Sequence, residues 1–224
     1  MRDMFTTVAP RYDFITRAFS FGMDPGWKRL AVERARLPCS PFVLDLACGT
    51  GDFSKLILGR DPSALTVAMD LTPSMLRIAS LPDPVCADAG SLPFADACFD
   101  AVFVGYGLRN FPDLQTVLRE IQRVLKPGGV LASLDFSLPR AALMRQMYLA
   151  YLYLQGAFWG LLLHGKPRVY TYIPDSLRSF LSAAELSSLL TILGFHQVDA
   201  RTFIAGGIAV HWARKPRAES VDIK

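Results

Sequence analysis

Short apolar runs alternate with amphipathic segments along most of the chain. The clearest amphipathic helix is predicted over 112–125, because its apolar residues recur at helical spacing and share one face. Strands that alternate with helices are typical of a parallel sheet covered on both faces. Five such strands are predicted over 42–47, 65–70, 85–88, 100–104 and 130–136.

The remaining pattern completes an α/β architecture. Two closing strands, predicted over 196–203 and 207–213, are close enough in sequence to form a hairpin, which adds an antiparallel strand at one edge. We therefore predict a doubly wound, mostly parallel, seven-stranded sheet with one antiparallel edge strand. The other predicted helices cover 1–36, a segment that ends near Gly59, 73–79 and 183–193.

The first strand runs directly into a glycine-rich turn, Gly49-Thr50-Gly51. Glycines let the backbone turn tightly and approach a ligand closely. A dinucleotide fingerprint has a third glycine three residues after the second, but that position is Ser54 here. An acidic residue just before an Ala-Cys-Gly turn suits a cofactor with an amino-acid end, and S-adenosylmethionine (SAM) is such a cofactor.

Acidic residues stand where the next strands end, and ligands of such sheets bind at the carboxyl ends of the strands. Asp70 follows Gly51 by the spacing expected of a carboxylate that binds ribose hydroxyls. Asp88 and Ala89 are placed to contact an adenine, and Asp45 to hold the methionine ammonium. The alternatives are a helix cap for Asp70, a plain loop for Asp88, and a cap of the glycine turn for Asp45.

Strand four ends at Arg109 and Asn110, which are predicted to face the substrate. An arginine there can bind a phenolate or carboxylate oxygen, and its alternative role is a surface salt bridge.

The net charge and its distribution limit the classes of binding partner that are expected. The net charge is +4 and the basic residues are scattered, whereas nucleic-acid binding calls for a concentrated basic stripe, so no nucleic acid is expected. Weak attraction to anionic lipid headgroups is more compatible with this charge. The first residues lack a secretory apolar region, and a cytoplasmic protein is expected.

A run of motifs resembles the ubiquinone/menaquinone biosynthesis C-methyltransferases. The most particular segments are Gly107-Leu108-Arg109-Asn110 and Tyr170-x-Tyr172, and the likeness covers roughly residues 4–215. It implies a Rossmann-like class I methyltransferase fold, SAM as methyl donor and no metal. The predicted catalytic residues are Arg109, Asn110 and Tyr172. The predicted cofactor-binding residues are Tyr12, Asp45, Ala47, Gly49, Thr50, Gly51, Asp70, Leu71, Met75, Asp88, Ala89, Gly105 and Tyr106.

The resemblance implies methyl transfer from SAM to a ring carbon of a polyprenylated quinol. Arg109 would stabilise the phenolate, and Tyr172 or His164 would orient the acceptor or act as base. The chain departs from the family at Gly105, often serine, and at Asp135, usually glutamate. Three other functions remain open: a methyltransferase for another small aromatic or lipid acceptor, a catalytically silent partner in a quinone-synthesis complex, and a nicotinamide-dependent oxidoreductase, which the missing third glycine disfavours.

An apolar segment, 146–163, contains no charged residue. Its length approaches that of a membrane span, but it is interrupted by glutamines and glycines and falls between sheet strands, so a span is not expected. It is either a buried core helix or a lid, at about 143–163, that grips a polyprenyl tail and contacts the membrane surface. We expect one domain over 1–215, with a helical cap at 1–36, a lid insertion at about 140–180 and a tail at 216–224. A homodimer and peripheral attachment at the inner face of the membrane are further expectations.

Overall fold

The computed structural model describes Thr6 and residues 8–217, so the first part of the predicted cap and most of the predicted tail lie outside the described residues. Seven strands form one sheet: β1 Phe42–Leu46, β2 Leu65–Asp70, β3 Val85–Cys86, β4 Phe99–Gly105, β5 Leu125–Phe136, β6 His196–Phe203 and β7 Ile208–Arg214. Their order is β3-β2-β1-β4-β5-β7-β6. Strands β1 to β5 pair in parallel, and β7 pairs antiparallel with both β5 and β6. The closing hairpin thus supplies the predicted antiparallel pairing at that edge.

Eight α-helices surround the sheet among the described residues. They are α1 Tyr12–Phe19, α2 Asp24–Ala35, α3 Asp52–Arg60, α4 Pro73–Ala79, α5 Leu114–Val124, α6 Ala142–His164, α7 Tyr172–Arg178 and α8 Ala183–Ile192. Short 3₁₀ turns occur at Ala9–Arg11, Leu108–Asn110, Pro167–Val169 and Ile204–Gly206.

The strand β1 shows why the sheet is covered on both faces. Successive side chains of a strand point to opposite faces. Val43 packs with Phe103 into one hydrophobic core, whereas Leu44 and Leu46 pack with Val102 into the other. A strand with apolar residues on both faces requires helices on both sides, and this is the doubly wound arrangement.

Three predicted element boundaries moved for local reasons. Strand β3 ends at Cys86 rather than Asp88, because the Asp88 carboxylate accepts the Gly90 N–H at 2.8 Å and the chain turns there. Helix α5 begins after Asp113, whose side chain accepts the Thr116 N–H and so caps the helix. Strand β5 begins at Leu125, earlier than the predicted Val130, because Leu125 already pairs with Phe99.

Helix α6 lies on the surface and is not a buried core helix. It contacts the body through Tyr148, Leu152, Gly156 and Gly160, which recur every fourth residue. Its opposite face exposes Leu143, Met147, Leu154, Phe158 and Leu162. No helix in the described part of the chain is long and apolar enough to cross a membrane.

Candidate active site

The glycine-rich turn is held in place from two sides. The Gly49 N–H donates to the Asp70 carboxylate at 3.0 Å, and the Cys48 N–H donates to the Met69 carbonyl at 3.0 Å. Gly51 has a φ of +79°, and a Cβ there would lie 2.5 Å from Leu81 Cδ1. Both the backbone conformation and the close approach therefore require glycine at this position.

A cleft of about 200 Å³ lies above the carboxyl ends of β1 to β4. Its floor is apolar, and two carboxylates, Asp70 and Asp88, stand at its edge. The cleft contains ten of the thirteen predicted cofactor-binding residues: Tyr12, Ala47, Gly49, Asp70, Leu71, Met75, Asp88, Ala89, Gly105 and Tyr106. The topology thus brings together residues that are far apart in sequence.

Asp70 is fixed in the geometry expected of a ribose-binding acid. One carboxylate oxygen accepts the Gly49 N–H and the other accepts the Thr72 N–H at 2.8 Å. Burial raises the pKa of Asp70, and these N–H donors oppose that rise. Hydrogen bonds at both oxygens therefore set the orientation of this carboxylate before any ligand binds.

Asp45 and Thr50 line a small space that adjoins the cleft and shares Tyr12, Ala47, Gly105 and Tyr106 with it, whereas Gly51 lines neither space. The Asp45 carboxylate accepts both the backbone N–H and the hydroxyl of Ser54, each at 2.9 Å, and so holds the start of α3. Burial raises the pKa of Asp45 to about 7. The Thr50 hydroxyl instead donates to Asp13 of α1 at 2.6 Å.

The N-terminal helices close one side of the cleft. Lys28 Nζ lies 2.7 Å from Asp24 and 2.5 Å from Asp52, and it thereby joins α2 to the first residue of α3. The Tyr106 hydroxyl donates to the other oxygen of Asp24 at 2.8 Å. Burial lowers the pKa of Lys28, but the two carboxylates raise it by more, so the ammonium stays charged.

A second, smaller cavity adjoins the cleft, and Tyr12 and Tyr106 line both. Its remaining lining includes Arg109, Phe136, Tyr170 and Tyr172. Its volume is about 20 Å³, and it lies beneath α1 and α7. The shared walls place an aromatic compartment directly beside the cofactor cleft.

Arg109 carries the charge in this cavity. Its guanidinium pairs with Asp135 at 2.5 Å and stacks on the Phe136 ring with 4.9 Å between the Cζ atom and the ring centroid. Its Nε has no hydrogen-bond partner among the described residues. Burial lowers the pKa of Arg109, but Asp135 raises it by more, and the guanidinium remains charged. The arrangement offers one unused donor to an anionic or phenolic oxygen.

The other predicted catalytic residues divide between the two spaces. Tyr172 lines the second cavity, and burial raises its pKa while the Arg109 guanidinium opposes that rise. Asn110 lines the cofactor cleft instead of the substrate side. Its Oδ1 is buried and lacks a partner within the described chain. His164 lies at the end of α6 and meets the Tyr170 hydroxyl at 2.9 Å.

Sequence reasoning missed part of both linings. In the cleft the missed residues are Leu46, Met69, Thr72, Ala87, Gly107, Phe111 and Pro112. Most of these residues adjoin a predicted residue. The rule that ligands bind at the carboxyl ends of the strands, here called the strand-end rule, would have found them if it had been applied to whole turns. In the second cavity Val8, Ile15, Thr16 and Phe19 carry no motif signal, because only the docking of α1 and of the residues just before it brings them there.

The groups that line the cleft suit an organic cofactor. Within the described ranges no cluster of His, Cys, Asp or Glu could hold a metal ion. The cleft pairs an apolar floor with a fixed carboxylate and a buried, unpartnered amide oxygen at Asn110. A ligand with hydroxyl or ammonium donors and an aromatic ring would satisfy these groups.

The chain is similar to known proteins over nearly its whole length. A demethylmenaquinone methyltransferase from Thermus thermophilus is 37% identical over 95% of this chain and all of that protein. A ubiquinone/menaquinone biosynthesis C-methyltransferase UbiE from Geotalea daltonii is 34% identical over 96% of both chains. The solved structure of a SAM-dependent methyltransferase from Thermotoga maritima has a TM-score of 0.68 at 19% identity, covering 96% of this chain and all of that one. At that identity the last likeness shows the fold alone.

The family model described as the ubiE/COQ5 methyltransferase family matches residues 1–215. This match spans the glycine-rich turn, both cavities, the Arg109–Asp135 pair and α6. The chain belongs to the ubiE/COQ5 methyltransferase family.

Proposed function

We propose that this methyltransferase transfers a methyl group from SAM to a ring carbon of a polyprenylated quinol, as in the conversion of a demethylmenaquinol to a menaquinol. The observation that carries the proposal is the position of Arg109. Its guanidinium is buried in an aromatic cavity, has an unused donor and lies beside the cofactor cleft. The names of the related proteins support the same reaction class.

The cofactor cleft has a group for each part of SAM. Asp70 would accept from the ribose hydroxyls, Asp88 and Ala89 would contact the adenine, and Asn110 Oδ1 would accept from the ammonium. When bound, SAM supplies an electrophilic methyl group on its sulfonium. The residues of the cleft contribute alignment, which is the main requirement of an in-line displacement.

The second cavity would prepare the acceptor. A ring carbon becomes nucleophilic when a neighbouring hydroxyl loses its proton, yet a phenol has a pKa near 10 in water. The Arg109 guanidinium would stabilise the phenolate oxygen, and a positioned charge in a buried site is effective because water does not screen it. Tyr12 and Tyr106, which line both spaces, would orient the ring so that its carbon faces the methyl group.

The test is incubation of the purified protein with labelled SAM and two reduced acceptors, a demethylmenaquinol analogue and a methoxybenzoquinol analogue. We expect methyl incorporation into at least one ring, and the ratio assigns the head group. SAM binding without transfer to either acceptor would overturn the proposal, and would favour another acceptor or a silent partner.

We further propose that residues 140–180 form a lid that rests on an anionic membrane surface at its inner face, and that the described part of the predicted 1–36 cap, Thr6 and residues 8–36, covers the donor. Helix α6 exposes Leu143, Leu154, Leu161 and Leu162 by 60–73%. From residue 137 to residue 174 the chain has four basic residues and no acidic one. Apolar side chains within a basic rim match anionic lipid headgroups, and a polyprenylated acceptor resides in that phase.

Vesicle co-sedimentation tests this placement. We expect binding to anionic vesicles, weaker binding to neutral ones, and loss of binding in a Leu154→Asp/Leu161→Asp double variant. Leu65→Asp is the matched control, because Leu65 is 64% exposed at the opposite end of the sheet. No binding to either vesicle, or sedimentation of a stable homodimer that protects Leu154 from solvent, would contradict it.

A further inference from the structure

Methylation of a ring carbon releases one proton overall. That proton has to leave the second cavity, which is the proposed acceptor site and is called the acceptor cavity below. The cavity wall includes Tyr12, Tyr106, Tyr170 and Tyr172. Burial raises the pKa of each of these phenols, so none of them is an anionic base at neutral pH. A neutral phenol can still relay a proton from this cavity when its oxygen is hydrogen-bonded to a group that titrates near neutral pH.

The backbone after α6 builds such a route. Gly165 has a φ of +64°, which reverses the chain, and the Lys166 N–H donates to the Gly160 carbonyl at 3.1 Å. The segment after Gly165 then runs back along the helix. The approach is close, since a Cβ on Gly156 would lie only 2.9 Å from the Tyr170 carbonyl oxygen. This contact sets Tyr170 into the cavity wall, where it is 1% exposed.

The far end of Tyr170 meets a histidine. The Tyr170 hydroxyl oxygen lies 2.9 Å from His164 Nε2, and the two rings meet edge to face with centroids 5.5 Å apart. His164 is the last residue of α6 and is partly exposed. Tyr170 thus lines the cavity, and its hydroxyl oxygen is hydrogen-bonded to a partly exposed imidazole.

The charge states suit transfer in the outward direction. Burial raises the pKa of Tyr170 to about 12, with Tyr172 adding to the rise and Arg11 opposing it. Burial lowers the pKa of His164, and the Arg11 guanidinium, at the end of the 3₁₀ turn Ala9–Arg11, lowers it further. The Arg11 guanidinium itself is bonded to the Leu163 carbonyl. At neutral pH Tyr170 is therefore the donor and His164 the acceptor, and the carboxyl end of α6 stabilises the imidazolium once it forms.

We propose that Tyr170 and His164 form a two-residue proton exit from the acceptor cavity. This proposal rests on the proposed function. The acceptor O–H bond breaks and its proton passes to the Tyr170 oxygen, while the Tyr170 proton passes to His164 Nε2. The acceptor keeps the electron pair as a phenolate beside Arg109, and the imidazolium gives a proton to water. After methyl transfer the ring carbon loses its own proton and the oxygen regains one, so the quinol is restored and one proton is released overall. Tyr170 is then a catalytic residue, and His164, which acts through it, is a positioning residue.

The test compares the pH dependence of kcat in the wild type, His164→Gln and Tyr170→Phe. Glutamine keeps a hydrogen-bonding side chain that does not titrate, and phenylalanine keeps the ring that fills the wall. We expect wild-type kcat to fall as His164 becomes protonated at low pH. In both variants that limb should disappear, kcat near neutral pH should drop about 100-fold, and the Kd of SAM should stay unchanged.

Controls separate this role from a structural one. His196→Gln is the matched variant, because His196 is exposed on the edge strand β6 and its ring is hydrogen-bonded to the backbone carbonyl of Lys215. It should keep the wild-type profile. Added imidazole should restore part of kcat in His164→Ala but none in Tyr170→Phe.

Two outcomes would overturn the proposal in distinguishable ways. A wild-type pH profile in His164→Gln, with the acceptor methylated normally, would reject the proton exit alone. A wild-type protein that methylates neither quinol would reject the proposed function and the exit with it. If one variant fails to fold, the other still decides, because each removes a different half of the same pair.

Discussion

The guanidinium of Arg109 and the carboxylate of Asp135 form an ion pair at 2.5 Å with side chains only 3% and 4% exposed. Two predictions follow from burial of a pair of opposite charges, because removal of one partner leaves the other uncompensated. A variant at this site therefore needs separate readouts for folding and for chemistry.

Arg109→Lys should reduce kcat by about 10–100-fold while leaving the Kd of SAM unchanged. Lysine keeps the positive charge beside Asp135 but loses the planar fork that offers a second donor. Arg109→Ala should lose more activity and about 3–5 kcal/mol of stability, since a buried carboxylate is left unpaired. Steady-state kinetics, SAM titration and urea unfolding check these values. An equal loss of kcat and SAM affinity in the lysine variant would remove Arg109 from the acceptor site.

Asp45→Asn should change the pH dependence of stability. The folded pKa of Asp45 is raised to about 7, so its stabilising contribution is present at low pH and is lost as the pH rises through 7. The asparagine variant does not titrate, and it should gain stability relative to wild type by up to about 1.4 kcal/mol per pH unit between roughly pH 4 and pH 7. Urea unfolding of both proteins at several pH values gives this difference directly. A difference that does not vary with pH would contradict the assignment.

Thr50→Val should weaken SAM binding about fivefold without a large change in melting temperature. The Thr50 hydroxyl fastens α1 to the glycine-rich turn through Asp13, and Tyr12 of the same helix lines the cleft. Loss of one such hydrogen bond costs about 1 kcal/mol. Calorimetric titration with SAM measures the effect, and faster proteolysis within α1 should accompany it. Ser63→Ala, which alters an exposed hydroxyl bonded to Asp61, is the control.

Gly160→Ala should destabilise the protein by about 1–3 kcal/mol. An added Cβ would lie 2.7 Å from the Lys166 carbonyl oxygen and 2.8 Å from that of Pro167, and backbone atoms cannot move aside as side chains do. Gly59→Ala in α3 is the matched control, because nothing lies within 4 Å of its added Cβ. That control should be neutral or more stable by up to about 1 kcal/mol. Thermal unfolding of both variants decides, and similar melting temperatures would contradict the packing argument.

Gly105→Ser should fold with a cost below about 1.5 kcal/mol and keep SAM binding. The added Cβ would lie 3.1 Å from the edge of the Phe53 ring, so the ring must shift slightly. A Phe53→Leu change in the serine background should recover part of that cost. If the serine variant gains methyl transfer that the wild type lacks, Gly105 explains a silent protein. Methyl transfer by the wild type would show that Gly105 is compatible with catalysis.

The sheet could be predicted because its signals are local. Alternating burial, turn glycines and helix spacing gave the seven strands, and the strand-end rule gave Asp70, Asp88 and Ala89 in one cleft. Asn110, predicted to face the substrate, lines the cofactor cleft, and its side chain and that of Arg109 both donate to the Tyr106 carbonyl. The end of strand four also gave Arg109, and the resemblance supplied Tyr172. The pairing of Arg109 with Asp135 and the place of both Arg109 and Tyr172 in the second cavity depend on contacts across the whole chain.

The lid could be predicted only in part. An uncharged stretch indicates an apolar helix, but hydrophobicity alone does not say which face meets the protein. The decisive signal was the pair of glycines, Gly156 and Gly160, and their role depends on the loop that returns along them. That loop also joins Tyr170 to His164, a contact six residues apart that no helical or strand spacing indicates.

The spacing of contacts along α6 has a consequence for how this protein can diverge. Tyr148, Leu152, Gly156 and Gly160 hold the helix once per turn, and the outward positions between them carry no packing obligation. Substitutions there cost little folding free energy, since surface changes away from buried contacts are usually neutral. The outer surface of the lid can therefore change in evolution, and with it the kind of surface that the lid contacts, while the residues of the two cavities stay the same.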